Sequence, residues 1–127
     1  MPFVRVHLRR GQTLAFRQAI AENVYEALRE TFNVPEEDKF VVIDEIDPAN
    51  FIYSKSYMNI ARSDDFVLLQ LTVSNTRTVE QKKALFQRIV ERLVDNPGLR
   101  AEDIFINLVE VQKENWSFGL GLAQYEL

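Results

Sequence analysis

Two stretches of this chain match one another at a constant offset of 65 residues without a gap, and that repeat constrains the fold more than any other feature. Thr13 falls on Thr78, Ala19 on Ala84, Ile20 on Leu85, Val24 on Ile89 and Leu28 on Leu93. Glu37-Asp38-Lys39-Phe40-Val41 falls on Glu102-Asp103-Ile104-Phe105-Ile106. Each copy, about residues 2–47 and 66–112, reads as strand, helix, strand. In the first copy Val4, Val6 and Leu8 alternate with Phe3, Arg5 and His7, the period of a strand with two different faces. Phe16, Ile20, Val24, Leu28 and Phe32 then recur at helical spacing from about Thr13 to Phe32. Asn33-Val34-Pro35 ends that helix, because the residue before a proline is pushed out of the helical region. A second strand follows over roughly Lys39 to Ile46.

Between the copies, Asp47 to Asp65 is rich in turn formers and reads as a long connection, with a short extra strand expected near Phe51. Phe66 to Val73 is almost continuously apolar and is expected to be a strand buried on both faces. Thr78 and Gln81 have capping-box spacing at the start of the second helix, and Asn96-Pro97-Gly98 stops it. Ile104 to Val111 is the last strand. Each helix joins two strands as a parallel, right-handed crossover. The fold class that results is α+β: two β-α-β units, a four-stranded mixed sheet and both helices on one face. The other face lacks a cover, so the chain is expected to form a homo-oligomer through it. A ferredoxin-like sheet uses the same order of elements and is the competing arrangement.

The 127 residues make one domain and can bury a core without disulfides. No apolar run approaches bilayer length and there is no export leader, so neither a membrane partner nor secretion is expected; with no cysteine, the cytoplasm is the expected compartment. A formal charge of −4 argues against nucleic acid as a partner. His7 is the sole histidine, so a transition-metal site would have to be built from carboxylates, and none has the spacing; no metal is expected. A Ser-His-Asp triad would need His7, which lies on a strand, and there is no nucleophile elbow.

The chemistry collects at one edge. If the first and third strands pair antiparallel, the start of strand one, the end of strand three, the start of strand two and the end of strand four converge. That assembles Pro2, Asp38, the Asn75-Thr76-Arg77 turn and Trp116-Ser117-Phe118. A proline is tolerated as the first residue of a strand. Methionine is also usually trimmed before so small a second residue, which would free a secondary amine able to act as general acid or base. Arg77, at a helix start, can hold a substrate carboxylate with two hydrogen bonds. Asp38 can polarise water or keep the amine charged, although Asp103 repeats it in the other unit. Trp116 and Phe118 can wall a pocket and exclude water. At the opposite edge Val67 and Gln12 stand where Pro2 and Arg77 do here, so one edge alone carries the set.

These residues resemble the tautomerase superfamily, most closely its malonate semialdehyde decarboxylase-like branch. The resemblance rests on Met1-Pro2, Val34-Pro35 with Asp38, Arg62-Ser63, Arg77 followed by Glu80-Gln81-Lys82, and Trp116-Ser117-Phe118-Gly119. It implies the tautomerase/MIF fold, a homotrimer and no cofactor. It implies Pro2 as the catalytic acid or base, Asp38 as its assistant in activating water, Arg77 as the carboxylate anchor, and Trp116 and Phe118 as pocket lining. Small oxo acids would be the substrates, by keto–enol tautomerisation or by hydration and decarboxylation of a 3-oxo acid. Asn75 stands where some decarboxylases of the branch carry a first arginine, and Leu120 and Leu122 where a relative can have arginine. A pocket with one fewer cation suits tautomerisation, which asks only for an amine, one anchor and an apolar wall. The alternative is a non-catalytic oligomeric domain that binds a small acid or a protein.

Overall fold

The computed structural model describes residues 2–127; Met1, whose removal would free the Pro2 amine, lies outside the described residues. The elements are β1 (Pro2–Arg9), α1 (Leu14–Phe32), β2 (Val41–Ile46), β3 (Val67–Ser74), α2 (Val79–Asp95) and β4 (Ile104–Val111). They form a four-stranded sheet in the order β2-β1-β3-β4. β1 runs parallel to β2, β3 parallel to β4, and β1 antiparallel to β3. Each unit's strands are therefore direct neighbours, which excludes the ferredoxin-like alternative, where a strand of one unit splits the other. The register also repeats: Val4 pairs with Val41, and Leu69 with Ile106, the same pairing 65 residues on.

Local chemistry sets the helix ends. The Thr13 hydroxyl accepts from the Phe16 amide, and Thr78 and Gln81 form the reciprocal capping box. α1 ends on Asn33 in the left-handed region at φ 57°, so the stop lies at Asn33, and Pro35 only follows it. α2 closes with the Gly98 amide on the Leu93 carbonyl at 3.1 Å, which needs Gly98 at φ 98°. The core sits between helices and sheet: Val4, Val6, Leu8, Leu69, Leu71 and Val73 meet Ile20, Val24, Leu28, Leu85, Ile89 and Leu93. Outside it, Glu30 binds Arg88 and Arg92 across the two helices, and those bonds hold its carboxyl below the usual range.

Two expectations fail. No strand forms near Phe51; the connection instead makes single turns at Pro48–Asn50 and Tyr57–Asn59 and packs Phe51 and Tyr53 against Phe66. The Tyr53 hydroxyl donates to the Ser63 carbonyl at 2.7 Å, so side chains, not a ladder, fix this segment. β3 is not buried on both faces within one chain. Val67, Leu69, Leu71 and Val73 are buried under the helices, whereas Leu68, Gln70 and Thr72 are half-buried on the open face. That face is mixed: Gln70 bonds Asn107 at 3.1 Å, and His7 and Arg5 approach Asp44 at 3.3 and 3.9 Å. Among the described residues, no helix is long and apolar enough to cross a membrane.

Replacing Leu69, fully buried, by alanine should reduce unfolding free energy by about 3 kcal/mol. Thr78→Ala, which removes only a cap, should cost about 1 kcal/mol. Urea denaturation of both variants checks the ranking.

Candidate active site

The sheet brings four chain segments to the start of β1. Pro2 pairs with Val73, so Ser74 and the Asn75-Thr76-Arg77 turn emerge beside it. The Val4 amide donates to the Phe40 carbonyl at 3.0 Å, which lays the Asp38-Lys39 approach alongside Pro2. On the other flank the Asn75 amide donates to the Val111 carbonyl at 2.9 Å, and the chain leaves β4 through a turn at Lys113–Asn115 to reach Trp116. Between these segments lies a cavity of about 430 Å³, walled by Pro2, Phe3, Phe40, Trp116 and Phe118, with Lys39 and Ser117 at its rim.

The aromatic wall is held from behind. Trp116 Nε1 donates to the buried Ser74 hydroxyl at 3.0 Å, and its ring stacks on Phe118 with centroids 5.6 Å apart. Phe118 meets the edge of Tyr125 at 5.2 Å, and its amide donates to Gln124 Oε1 at 2.9 Å. The tail thus folds back on the wall it follows. The two rings lower the polarity of the space in front of Pro2, which is itself buried.

Asp38 and its repeat, Asp103, have parted company. The Asp103 carboxylate is fully buried and saturated: it accepts from the Ser63 amide at 2.7 Å and the Ser63 hydroxyl at 2.6 Å, and Arg100 lies 3.5 Å away. Asp38 Oδ1 is also buried, yet it has no hydrogen-bond partner among the described residues. Desolvation pushes the Asp38 carboxyl above its ordinary value of 3.8, with the positive charge of Arg77 opposing the shift. A shielded carboxyl oxygen left without a partner is unfavourable for folding and available for chemistry.

Arg77 is bound to the scaffold. Its Nη2 donates to the Phe32 carbonyl at the end of α1 at 2.8 Å, its Nη1 to the Thr76 hydroxyl at 2.8 Å, and its guanidinium lies 4.9 Å over the Phe32 ring. The planar head is fixed, its charge acts on Asp38, and N–H groups remain for another acceptor. The structure therefore brings Pro2, Trp116 and Phe118 onto one cavity wall; Asp38 and Arg77 are close enough to one another for the charge of Arg77 to act on Asp38, but neither lines that cavity. Asn75 is exposed and contributes its backbone to the β4 junction. Sequence reasoning missed Lys39, Phe40, Ser74 and the tail residues Gln124 and Tyr125. Phe40 could have been found, since it holds an outward position at the start of an edge strand; the tail contacts have no periodic signal.

A family model described as tautomerase enzyme matches residues 38–119, and a second of the same description matches residues 2–61. The chain is 40% identical to "Probable tautomerase YusQ" of Bacillus subtilis (strain 168), over 98% of both chains. Among solved structures it is similar to a malonate semialdehyde decarboxylase inhibited by 3-bromopropiolate, with TM-score 0.91, 32% identity, and 97% and 93% of the two chains covered. A further malonate semialdehyde decarboxylase, solved in wild-type, mutant and inactivated forms, matches with TM-score 0.90 and 25% identity over 97% and 95%.

The two aspartates separate site from scaffold experimentally. A carboxyl raised in the folded chain binds its proton more tightly folded than unfolded, so ionised Asp38 opposes folding and stability falls as pH rises through its raised range. Asp38→Asn should remove that penalty: relative to wild type, its unfolding free energy should gain as pH increases from about 4 to 7. Asp103→Ala should instead lose about 3 kcal/mol, because it strands the Ser63 donors. Denaturation at several pH values checks both signs.

Proposed function

The chain belongs to the tautomerase family, in its malonate semialdehyde decarboxylase-like branch, and from that premise we propose that it uses the Pro2 amine as general acid and base on small oxo acids. The observation that carries this reading is the unpartnered Asp38 carboxyl beside the Pro2 end of an apolar cavity, against its saturated repeat Asp103. On a 2-oxo acid, the neutral secondary amine takes a proton from C3. The electrons of that C–H bond form the C2–C3 double bond, and the carbonyl oxygen gains a proton from water or from protonated Asp38, giving the enol. The reverse sequence returns the ketone. Arg77 holds the substrate carboxylate with the N–H groups its scaffold bonds leave free. Trp116 and Phe118 exclude bulk water, which strengthens that ion pair and favours the neutral amine.

The same groups serve a 3-oxo acid such as malonate semialdehyde. There the protonated amine polarises the carbonyl while the bond to the carboxylate breaks; carbon dioxide leaves, the bond's electrons form the enolate, and a proton from the amine or water then adds at its carbon, or Asp38 activates water for addition to the aldehyde. Tautomerisation asks less of the pocket, since Asn75 brings no second guanidinium. The continuous open face of four strands supports assembly as a homotrimer through that face.

Two variants test the reading once intact mass has shown that Met1 is absent. Pro2→Ala keeps a primary terminal amine and should lower kcat/KM for enol ketonisation about a hundredfold. Arg77→Ala should raise KM about tenfold or more. Full activity in both variants would sink the mechanism.

A further inference from the structure

The repeat extends beyond the strand-helix-strand units into their exit segments. At the same 65-residue offset, Trp116, Ser117 and Phe118 correspond to Phe51, Ile52 and Tyr53, while Phe3 and Phe40 correspond to Leu68 and Phe105. Those five residues line a second cavity of about 270 Å³, at the opposite edge of the sheet. The molecule therefore holds two pseudo-equivalent cavities with aromatic walls, and the second serves as an internal control for the first. In it, Tyr53 stacks on Phe66 with centroids 4.2 Å apart, filling space with its own rings.

Aromatic walls occur on both sides, so they do not mark the chemistry. What changes is where charge and polarity stand. Pro2 faces Val67 across the repeat, Arg77 faces Gln12, Ser117 faces Ile52, and Lys39 faces Ile104. Pro2 and Arg77 already have roles in the proposed mechanism. Lys39 does not, and among the described residues it is the one ionisable residue that lines the first cavity; it also lines the groove beside α1 with Glu22 and Glu26, where its head now rests.

The Lys39 ammonium is paired with Glu22 on α1 and lies 4.9 Å from the centre of the Tyr25 ring. The hydrogen bond to Glu22 raises its pKa, so the charge is secure. This pair too is confined to the first unit, since its counterparts are Ile104 and Gln87. Both side chains are about half exposed, at 46% and 50%, and such a solvated pair contributes little to stability. Exchanging Glu22 for another carboxylate is therefore cheap, and the lysine's four-carbon stem allows the head to swing.

We propose that Lys39 is a second anion-binding group of the cavity, taking the distal carboxylate of a dicarboxylic oxo acid, and that Glu22 holds it when the cavity is empty. The inference rests on the proposed chemistry at Pro2. Arg77, its head fixed by the Phe32 carbonyl and the Thr76 hydroxyl, takes the carboxylate next to the reacting carbonyl, while Lys39 takes the far one. The preferred substrates are then oxo diacids.

The test uses two six-carbon probes that differ only at the far end: 2-oxoadipate, which carries a terminal carboxylate, and 2-oxohexanoate, which carries a methyl group. Enzyme-catalysed exchange of the C3 protons in deuterium oxide, followed by NMR, gives kcat/KM for each. Wild type should favour the diacid by about tenfold. Lys39→Gln should bring the ratio close to unity, Lys39→Arg should keep most of it, and Glu22→Gln, which frees the lysine, should widen it. A ratio that stays the same in Lys39→Gln, with both rates unchanged or falling together, would overturn the proposal and leave Lys39 as a tie between β2 and α1. Failure of the chemistry itself reads differently: wild type would then exchange neither acid, or Pro2→Ala would exchange both at the wild-type rate, and the inference would fall with it.

Discussion

The antiparallel seam between β1 and β3 is the contact on which the rest of the molecule depends. Along it, Val4, Val6 and Leu8 meet Leu71, Leu69 and Val67, all buried beneath the helices. A slip of one residue would turn this apolar set to the open face and bring Phe3, Arg5 and His7 under the helices, so burial fixes the register. The seam also fixes what stands beside Pro2. Pairing with Val73 places the end of β3, and hence Arg77, at the start of β1, while the parallel partners bring in Asp38 and Trp116.

A duplicated backbone gives two edges of the same shape, and the side chains make them differ. At one edge, Asp103 is saturated by Ser63 and Arg100, and stacked aromatic rings line a smaller cavity. At the other, Asp38 is half-buried, with its Oδ1 atom shielded from solvent and without a partner among the described residues. The first arrangement contributes to stability and the second detracts from it. Guanidinium groups follow the same division. Arg100 closes a structural network, whereas Arg77 is braced by Phe32 and keeps donors to spare.

Much of the fold was legible because its signals are periodic. The 65-residue offset fixed the element order, Thr13 and Thr78 marked the helix starts, and the alternation in β1 identified its buried face. The features that escaped depend on single conformations or on distant partners. Asn33 ends α1 through a left-handed backbone that only tertiary context selects. Phe51 and Tyr53 read as a strand in sequence, but their rings pack into a cluster with Phe66. β3 is apolar enough to suggest burial on both sides, yet Gln70 and Thr72 face outward with Leu68. The convergence of the segments that carry Pro2, Asp38, Arg77, Trp116 and Phe118 on one sheet edge was legible from topology. The correspondence of Trp116 and Phe118 with Phe51 and Tyr53 was not, because it preserves ring character and not residue identity.

The account turns on one nitrogen. Its most direct test is nitrogen-15 NMR of Pro2 across a pH series, in wild type and in Asp38→Asn. The expected result is a Pro2 nitrogen that titrates as an amine, with a midpoint that moves when the Asp38 carboxyl is removed. A Pro2 nitrogen with the shift of an amide, unchanged over the whole pH range, would contradict the account, since a nitrogen in a peptide bond has no proton to exchange with a substrate.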